Sequence, residues 1–255
     1  MKKTFSSKKS AFSLIELSIV LIIIGLLIAG ITGGASLIKS SELRSIMSEA
    51  RSYAVSVNSF FTQYDRYPGD SDISVGSNGK VIGDRDNTIE YLNDATNKVA
   101  EGLDAWNDLK DIGAIDLALT LTTTEVGTGS AAFASVPVMT PVTNIPGSKI
   151  KGAGWAFDYA GSQNVVVITG TTTGAKTSLI GTDTLDARAG KGIITAGDSL
   201  SIDSKIDDGK ANAGSVRGYH TAADKCTDST TASNYKVSTG SEKNCILAFR
   251  VDVSS

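Results

Sequence analysis

An α+β fold, with a long N-terminal helix packed on an antiparallel β-sheet head, is predicted by three observations. The 22 residues from Leu17 to Ile38 carry no charge. After Lys39 the apolar residues recur at the three-four spacing of an amphipathic helix. In the C-terminal half, two short apolar segments rich in valine and aromatic residues flank Gly161-Ser162, the pattern of a β-hairpin.

At about 1.5 Å per residue the uncharged run covers about 33 Å as a helix, enough for a hydrocarbon core of about 30 Å. Lys2, Lys3, Lys8 and Lys9 precede it, so the positive-inside rule places the N-terminal end in the cytoplasm and the head across the membrane. A secretory signal has a shorter core and a small-residue cut after it, and no Ala-x-Ala site follows this run. Within the run Gly30 and Gly34 form a G-x-x-x-G pair, with Gly25, Ala29 and Gly33 nearby. Small residues let helices approach closely in lipid, and they are equally ordinary membrane-helix glycines. Each interior Gly costs about 1 kcal/mol of helix propensity relative to Ala, so Gly30, Gly33 and Gly34 mark the weakest part of the helix.

The second half of the helix presents Leu43, Ile46, Met47, Ala50, Ala54, Val57, Phe60, Phe61 and Tyr64 as a core-facing stripe. Tyr67-Pro68-Gly69-Asp70 ends it, because Pro disfavours a helical residue before it and Gly permits a sharp exit. A rod from Phe12 to about Arg66 would be about 80 Å long. Ser71 to Asn87 reads as a loop, and Thr88 to Ile112 as a helix with Leu92, Val99, Leu103, Trp106, Leu109 and Ile112 on its apolar side. Thr120 to Ser148 contains three of the four prolines and reads as a long surface excursion. Gly154 to Tyr159 and Val165 to Ile168 form the hairpin, with a third strand expected near Ser178-Leu179-Ile180 to complete a meander. A short helix is expected from Gly197 to Asp207, and a last strand from Cys245 to Val253.

Glu16 is a lone carboxylate at the mouth of the uncharged run. Placing an acid in lipid costs on the order of 3 kcal/mol or more, so an intramembrane acid demands a partner and points to function. None of the residues near it in the chain is basic. The basic leader ending in Ala11, followed by Phe12-Ser13-Leu14-Ile15-Glu16-Leu17, resembles the class III signal and N-terminal helix of type IV pilins and type II secretion pseudopilins over about the first forty residues. The resemblance implies a pilin-like fold, cleavage between Ala11 and Phe12 by a membrane prepilin peptidase, N-methylation of Phe12, and docking guided by Glu16 into a helical filament. A neighbouring copy would then present its Phe12 amine to Glu16. An ion pair at about 4 Å is worth roughly 4 kcal/mol at an effective dielectric near 20, comparable to the insertion cost, so the pair fixes register. On this reading Gly30, Gly33 and Gly34 loosen when the helix leaves lipid for a filament core. Two departures from the family pattern are Ala11 where Gly is usual, and Gly33-Gly34 where a helix-kinking Pro is usual.

The implied organisation is a leader at 1–11, a transmembrane or filament-core helix at 12–38, an amphipathic helix at 39–67 and an α+β head at 68–255. Loss of the leader removes four lysines and moves the formal charge from −3 to −7. An acidic chain without a basic cluster argues against nucleic acid as the main partner. The two cysteines, Cys226 and Cys245, would pair on the oxidising side of a membrane and close a loop of about 20 residues worth roughly 3 kcal/mol; the alternative is two buried thiols. A C-terminal disulfide loop of this kind is common in pilins.

Asp84-Arg85-Asp86-Asn87 and the acids from Asp203 to Asp208 offer oxygen ligands, but neither has the spacing of a calcium loop, and both read as solvated turns and helix ends. His220, the one histidine, has no motif around it. No metal site, cofactor motif or catalytic constellation is expected, and the chain reads as a non-enzyme. The partners implied are other copies of the chain, other pilins, the peptidase and methyltransferase, and inner-membrane lipid. A major pilin, a minor pilin, a pseudopilin, a tip adhesin or DNA-uptake receptor, and an uncleaved single-span anchor remain in competition.

Overall fold

The computed structural model describes residues 13–70, 83, 85–91, 101–116, 138–172, 179–180, 190–220, 225–228 and 234–252. They form an α+β arrangement of the pilin-like kind, a long apolar N-terminal helix followed by a four-stranded antiparallel sheet. The chain divides into two compact units, one ending at Glu42 and one beginning at Leu43.

Helix α1 runs from Leu14 to Tyr64, helical without a break through Gly33-Gly34. From Leu43 onward its predicted stripe is the buried one. Ile46, Ala50, Val57 and Phe60 are buried, and Leu43, Met47, Ala54, Phe61 and Tyr64 pack partly buried against the same core. The helix stops at Asp65, whose N–H closes the last turn on the Phe61 carbonyl at 2.7 Å while its own φ is 55°. Short polar side chains tolerate that left-handed conformation, which turns the chain before Pro68 can obstruct it.

Helix α2 spans Glu101–Asp111. Its Trp106 is fully buried, stacked against Phe157 at 4.3 Å and edge-on to Tyr53 at 5.0 Å. A Cβ at Gly102 would stand 2.7 Å from the Phe157 carbonyl oxygen, so α2 lies directly on the strand backbone there. The predicted start at Thr88 is corrected: residues 88–91 are not helical, because the N–H groups of Ile89 and Tyr91 are taken by the side chains of Asn164 and Asp158 at 2.7 and 3.2 Å. Leu92 and Val99 lie outside the described residues.

Strands β1 (Gly154–Ala160) and β2 (Gln163–Thr169) form the predicted hairpin, with Gly161 and Ser162 at φ of 58° and 60°. Positive φ at both central residues is the tight hairpin turn whose twist matches the strands. The third strand expected at residues 178–180 is corrected. Leu179 and Ile180 form a bend, and Ser178 lies outside the described residues. Beside β2 stands instead β4 (Cys245–Arg250), paired from Val165↔Arg250 to Ile168↔Leu247. Strand β3 (Val216–His220) closes the far edge, giving the order β1-β2-β4-β3 with every pair antiparallel.

The last strand is shorter than expected and ends at Arg250. Both central strands are buried almost throughout, so they read as apolar runs and not as alternation. Phe249 meets Trp155 at 5.7 Å, while Ile246, on the opposite face, would touch a Cβ at Gly190. Helix α3 covers Ala196–Ile206, one residue from its predicted bounds, capped by the Thr195 hydroxyl accepting from Asp198 N–H at 3.1 Å. The predicted excursion is corrected where it is described. Met139 and Ile145 are fully buried, and the Pro146 carbonyl accepts from Trp155 N–H at 2.8 Å, so residues 138–148 are part of the packed head.

Candidate assembly site

From Leu14 to Ile38 the apolar side chains of α1 are exposed, Leu14 at 88% and Leu37 at 72%. An apolar surface of that extent requires lipid or other protein against it. The segment is long and apolar enough to cross a membrane. It holds four polar side chains, Glu16, Ser18, Thr32 and Ser36, and each bonds back to its own backbone. The Ser18 hydroxyl donates to the Ile15 carbonyl at 2.9 Å, Thr32 to Ile28 at 3.0 Å and Ser36 to Gly33 at 2.9 Å. Donors turned inward in this way leave no hydroxyl hydrogen exposed to hydrocarbon.

Glu16 does the same as an acceptor. Its Oε2 takes the N–H of Ser13 at 2.8 Å, while the Ser13 carbonyl accepts the first helical bond, from Leu17 N–H at 3.2 Å. Ser13 is therefore the residue at the helix start and Glu16 its third helical residue, the acid's half of a capping box. A hydrogen bond to a charged group is worth roughly 1.5–3 kcal/mol, and the helix dipole adds about 0.3–1 kcal/mol for an acid in the first turn. Together they offset most of the roughly 3 kcal/mol that the acid costs in lipid. No basic residue lies near Glu16 in the sequence, and its partner here is a backbone donor, for which the spacing Ser13-x-x-Glu16 is the sequence signal.

Among the other predicted residues, Ala11 and Phe12 lie outside the described residues. Gly25, Gly30, Gly33 and Gly34 lie on α1, and a Cβ at any of them would meet nothing within 4 Å. Their surfaces are open for close approach by another helix. Cys226 and Cys245 are joined in a buried disulfide with Cα atoms 5.0 Å apart, tying residues 225–228 to the start of β4. His220 lies on β3 opposite Cys245.

The head uses half-buried and buried acids as clamps. Glu49 of α1 accepts Trp155 Nε1–H at 2.8 Å and Lys149 N–H at 3.1 Å, fixing the helix to β1 and to the loop before it. Asp158 accepts four backbone N–H groups, from Tyr91, Tyr159, Leu179 and Ile180, at 2.9–3.2 Å. Asp108 accepts Gly69 N–H at 2.8 Å, and its carboxyl is pushed up to about 7 by burial and by the neighbouring charges of Asp104 and Asp111. Asp203 is fully buried, accepts the Tyr235 hydroxyl at 2.8 Å, and is raised to about 6, chiefly by burial.

Asp203, Asp207 and Asp208 bring carboxylate oxygens within 4.8 Å of one another. Each accepts a backbone N–H of the turns that follow α3: Asp203 from Gly209, Asp207 from Ser215, and Asp208 from Lys210. That is the work of helix-end and turn carboxylates. Of the other acidic group, Asp84 lies outside the described residues, and Asp86 accepts from the Thr88 N–H at 2.8 Å.

Among the described residues, fold and site define a class: an α+β head that follows a membrane-capable helix with a carboxylate in its first turn. Residues 6–32 match the family model of the prokaryotic N-terminal methylation motif. That motif is the class III signal peptide found in type IV pilins and pseudopilins. Neither a curated protein nor a solved structure matches the chain.

Proposed function

We propose that this chain is a prepilin, cut between Ala11 and Phe12, N-methylated at Phe12, and polymerised through α1 into a type IV pilus. The observation that carries the reading is the methylation motif at residues 6–32, which takes in the exposed apolar start of α1 with Glu16 in its first turn. Before assembly the apolar half of α1 is held in the inner membrane with the head in the periplasm. In the filament the same apolar surface packs against other copies, with Gly25, Gly30, Gly33 and Gly34 as points of close approach and Glu16 paired to the Phe12 amine of a neighbour. The exchange of lipid for helix leaves apolar area covered in both states, so the ion pair sets register more than it drives association.

Because pseudopilins carry the same signal, a secretion pseudopilus is the alternative filament. Two measurements test the reading. Mass spectrometry of the mature N-terminus is expected to find a methylated Phe12; a chain that keeps its lysine-rich leader in cells with an active peptidase refutes it. Glu16→Ala is expected to preserve protein level and cleavage while abolishing incorporation, and normal filaments from that variant refute the role of the acid. Abundance in sheared filaments then separates a main subunit from a scarce tip receptor, and a secretion defect without surface pili identifies a pseudopilin.

A further inference from the structure

The bond between Glu16 and the N–H of Ser13 has a consequence for assembly, and it rests on the reading of Glu16 as the docking acid. All four polar side chains between Leu14 and Ile38 are satisfied by their own helix. The unassembled segment therefore presents no unpaired side-chain donor to lipid, and its single charge is already occupied by a donor 2.8 Å away. A neighbour's amine does not meet a bare carboxylate. It competes with a bond that the chain makes to itself.

We propose that Glu16 changes partners on assembly: in the stored subunit it caps its own helix through the Ser13 N–H, and docking exchanges that intrachain bond for the interchain one. Ser13 is then a positioning residue whose amide holds the acid at the helix end until a neighbour arrives. Three physical points support the exchange. The bond is local, three residues apart, so it forms in every copy without any partner. It lies at the exposed first turn of α1, where breaking it releases only the end residue and leaves the next helical bond, from Leu17 N–H to the Ser13 carbonyl, in place. An ammonium group is a stronger donor to a carboxylate than a peptide N–H, so the exchange runs toward docking once a neighbour brings its amine within reach of the acid.

The full mature chain, labelled with ¹⁵N in lipid vesicles, tests the first half. Amide exchange at Ser13 is expected to be at least about tenfold faster in Glu16→Ala than in the wild type, with Glu16→Gln, which keeps an acceptor oxygen, in between. Equal rates within twofold in wild type and Glu16→Ala overturn the cap. Solid-state NMR of assembled wild-type filaments tests the second half. The Ser13 amide resonance is expected to leave its position in the vesicle-bound subunit and approach that of the uncapped Glu16→Ala chain. A resonance that stays where it was overturns the exchange. Normal filaments from Glu16→Ala would instead remove the docking role of the acid, and with it the exchange, while the vesicle measurement would still decide the cap.

Discussion

Glu49→Ala is the substitution whose effect follows most directly from the structure. The Glu49 carboxylate is the acceptor for the indole N–H of Trp155, a fully buried residue, and for the backbone N–H of Lys149, with the Ser45 hydroxyl a third donor at 3.2 Å. A hydrogen bond to a charged group contributes roughly 1.5–3 kcal/mol, and leaving a buried donor without a partner costs about 1–3 kcal/mol. These two figures describe the same loss from two sides, so the expected destabilisation is about 2–3 kcal/mol. With a urea slope of about 2 kcal/mol per M for a domain of this size, the midpoint should fall by about 1–1.5 M.

Trp155 itself reports the transition by fluorescence in the full chain in detergent. Glu49→Gln, which keeps an acceptor without the charge, should recover about half of the loss. Trp155→Phe removes the donor and closes a double-mutant cycle with Glu49→Ala, with an expected coupling of about 1.5 kcal/mol or more. Additive effects, or a midpoint within about 0.2 M of wild type for Glu49→Ala, would refute the idea that this acid pins α1 to β1.

The head should be less stable at pH 8 than at pH 5. Asp108 titrates near 7 in the folded chain, above its usual carboxylate value. The folded state therefore holds its proton more tightly, and the stability from this group is full below about pH 4 and lost as pH rises through about 7. Asp108→Asn, which still offers an oxygen to Gly69 N–H, should remove most of that slope in urea midpoints measured at the two pH values; the remainder comes from Asp203, raised to about 6 in the same direction. An unchanged slope would contradict this. Replacing Cys226 and Cys245 together with Ser should cost about 2–4 kcal/mol, seen as a lower thermal midpoint that reductant no longer shifts. Gly102→Ala would place a methyl 2.7 Å from the Phe157 carbonyl, and a loss of at least about 2 kcal/mol is expected, whereas Gly113→Ala meets nothing within 4 Å and differs by its backbone strain alone.

What the sequence displays plainly is whatever is local. The stripe from Leu43 to Tyr64 follows from helical periodicity, and the β1–β2 turn follows from Gly161-Ser162, because both depend on neighbours in the chain. Long-range pairing is hidden. Nothing in Val216-Arg217-Gly218-Tyr219-His220 marks it as an edge strand, and nothing near Val165 announces a partner at Arg250, some 85 positions on. Thr88 to Tyr91 carries no strong helix breaker, yet Asn164 and Asp158 claim its amides from across the head. At the assembly site the acid was conspicuous and its capping spacing was present in the letters. The partner of that charge is a peptide N–H and not another charge, so only the capping spacing signals it.

Strand β4 lies between β2 and β3, although it is the last of the four to be synthesised. Until residues 245–250 have emerged, the inner edge of β2 has no companion and the sheet has a gap where its middle should be. The hairpin, α3 and the β3 segment must therefore wait, open-edged, for the end of the chain, and a truncation before Cys245 would remove the keystone of the head and leave a sticky ribbon in its place.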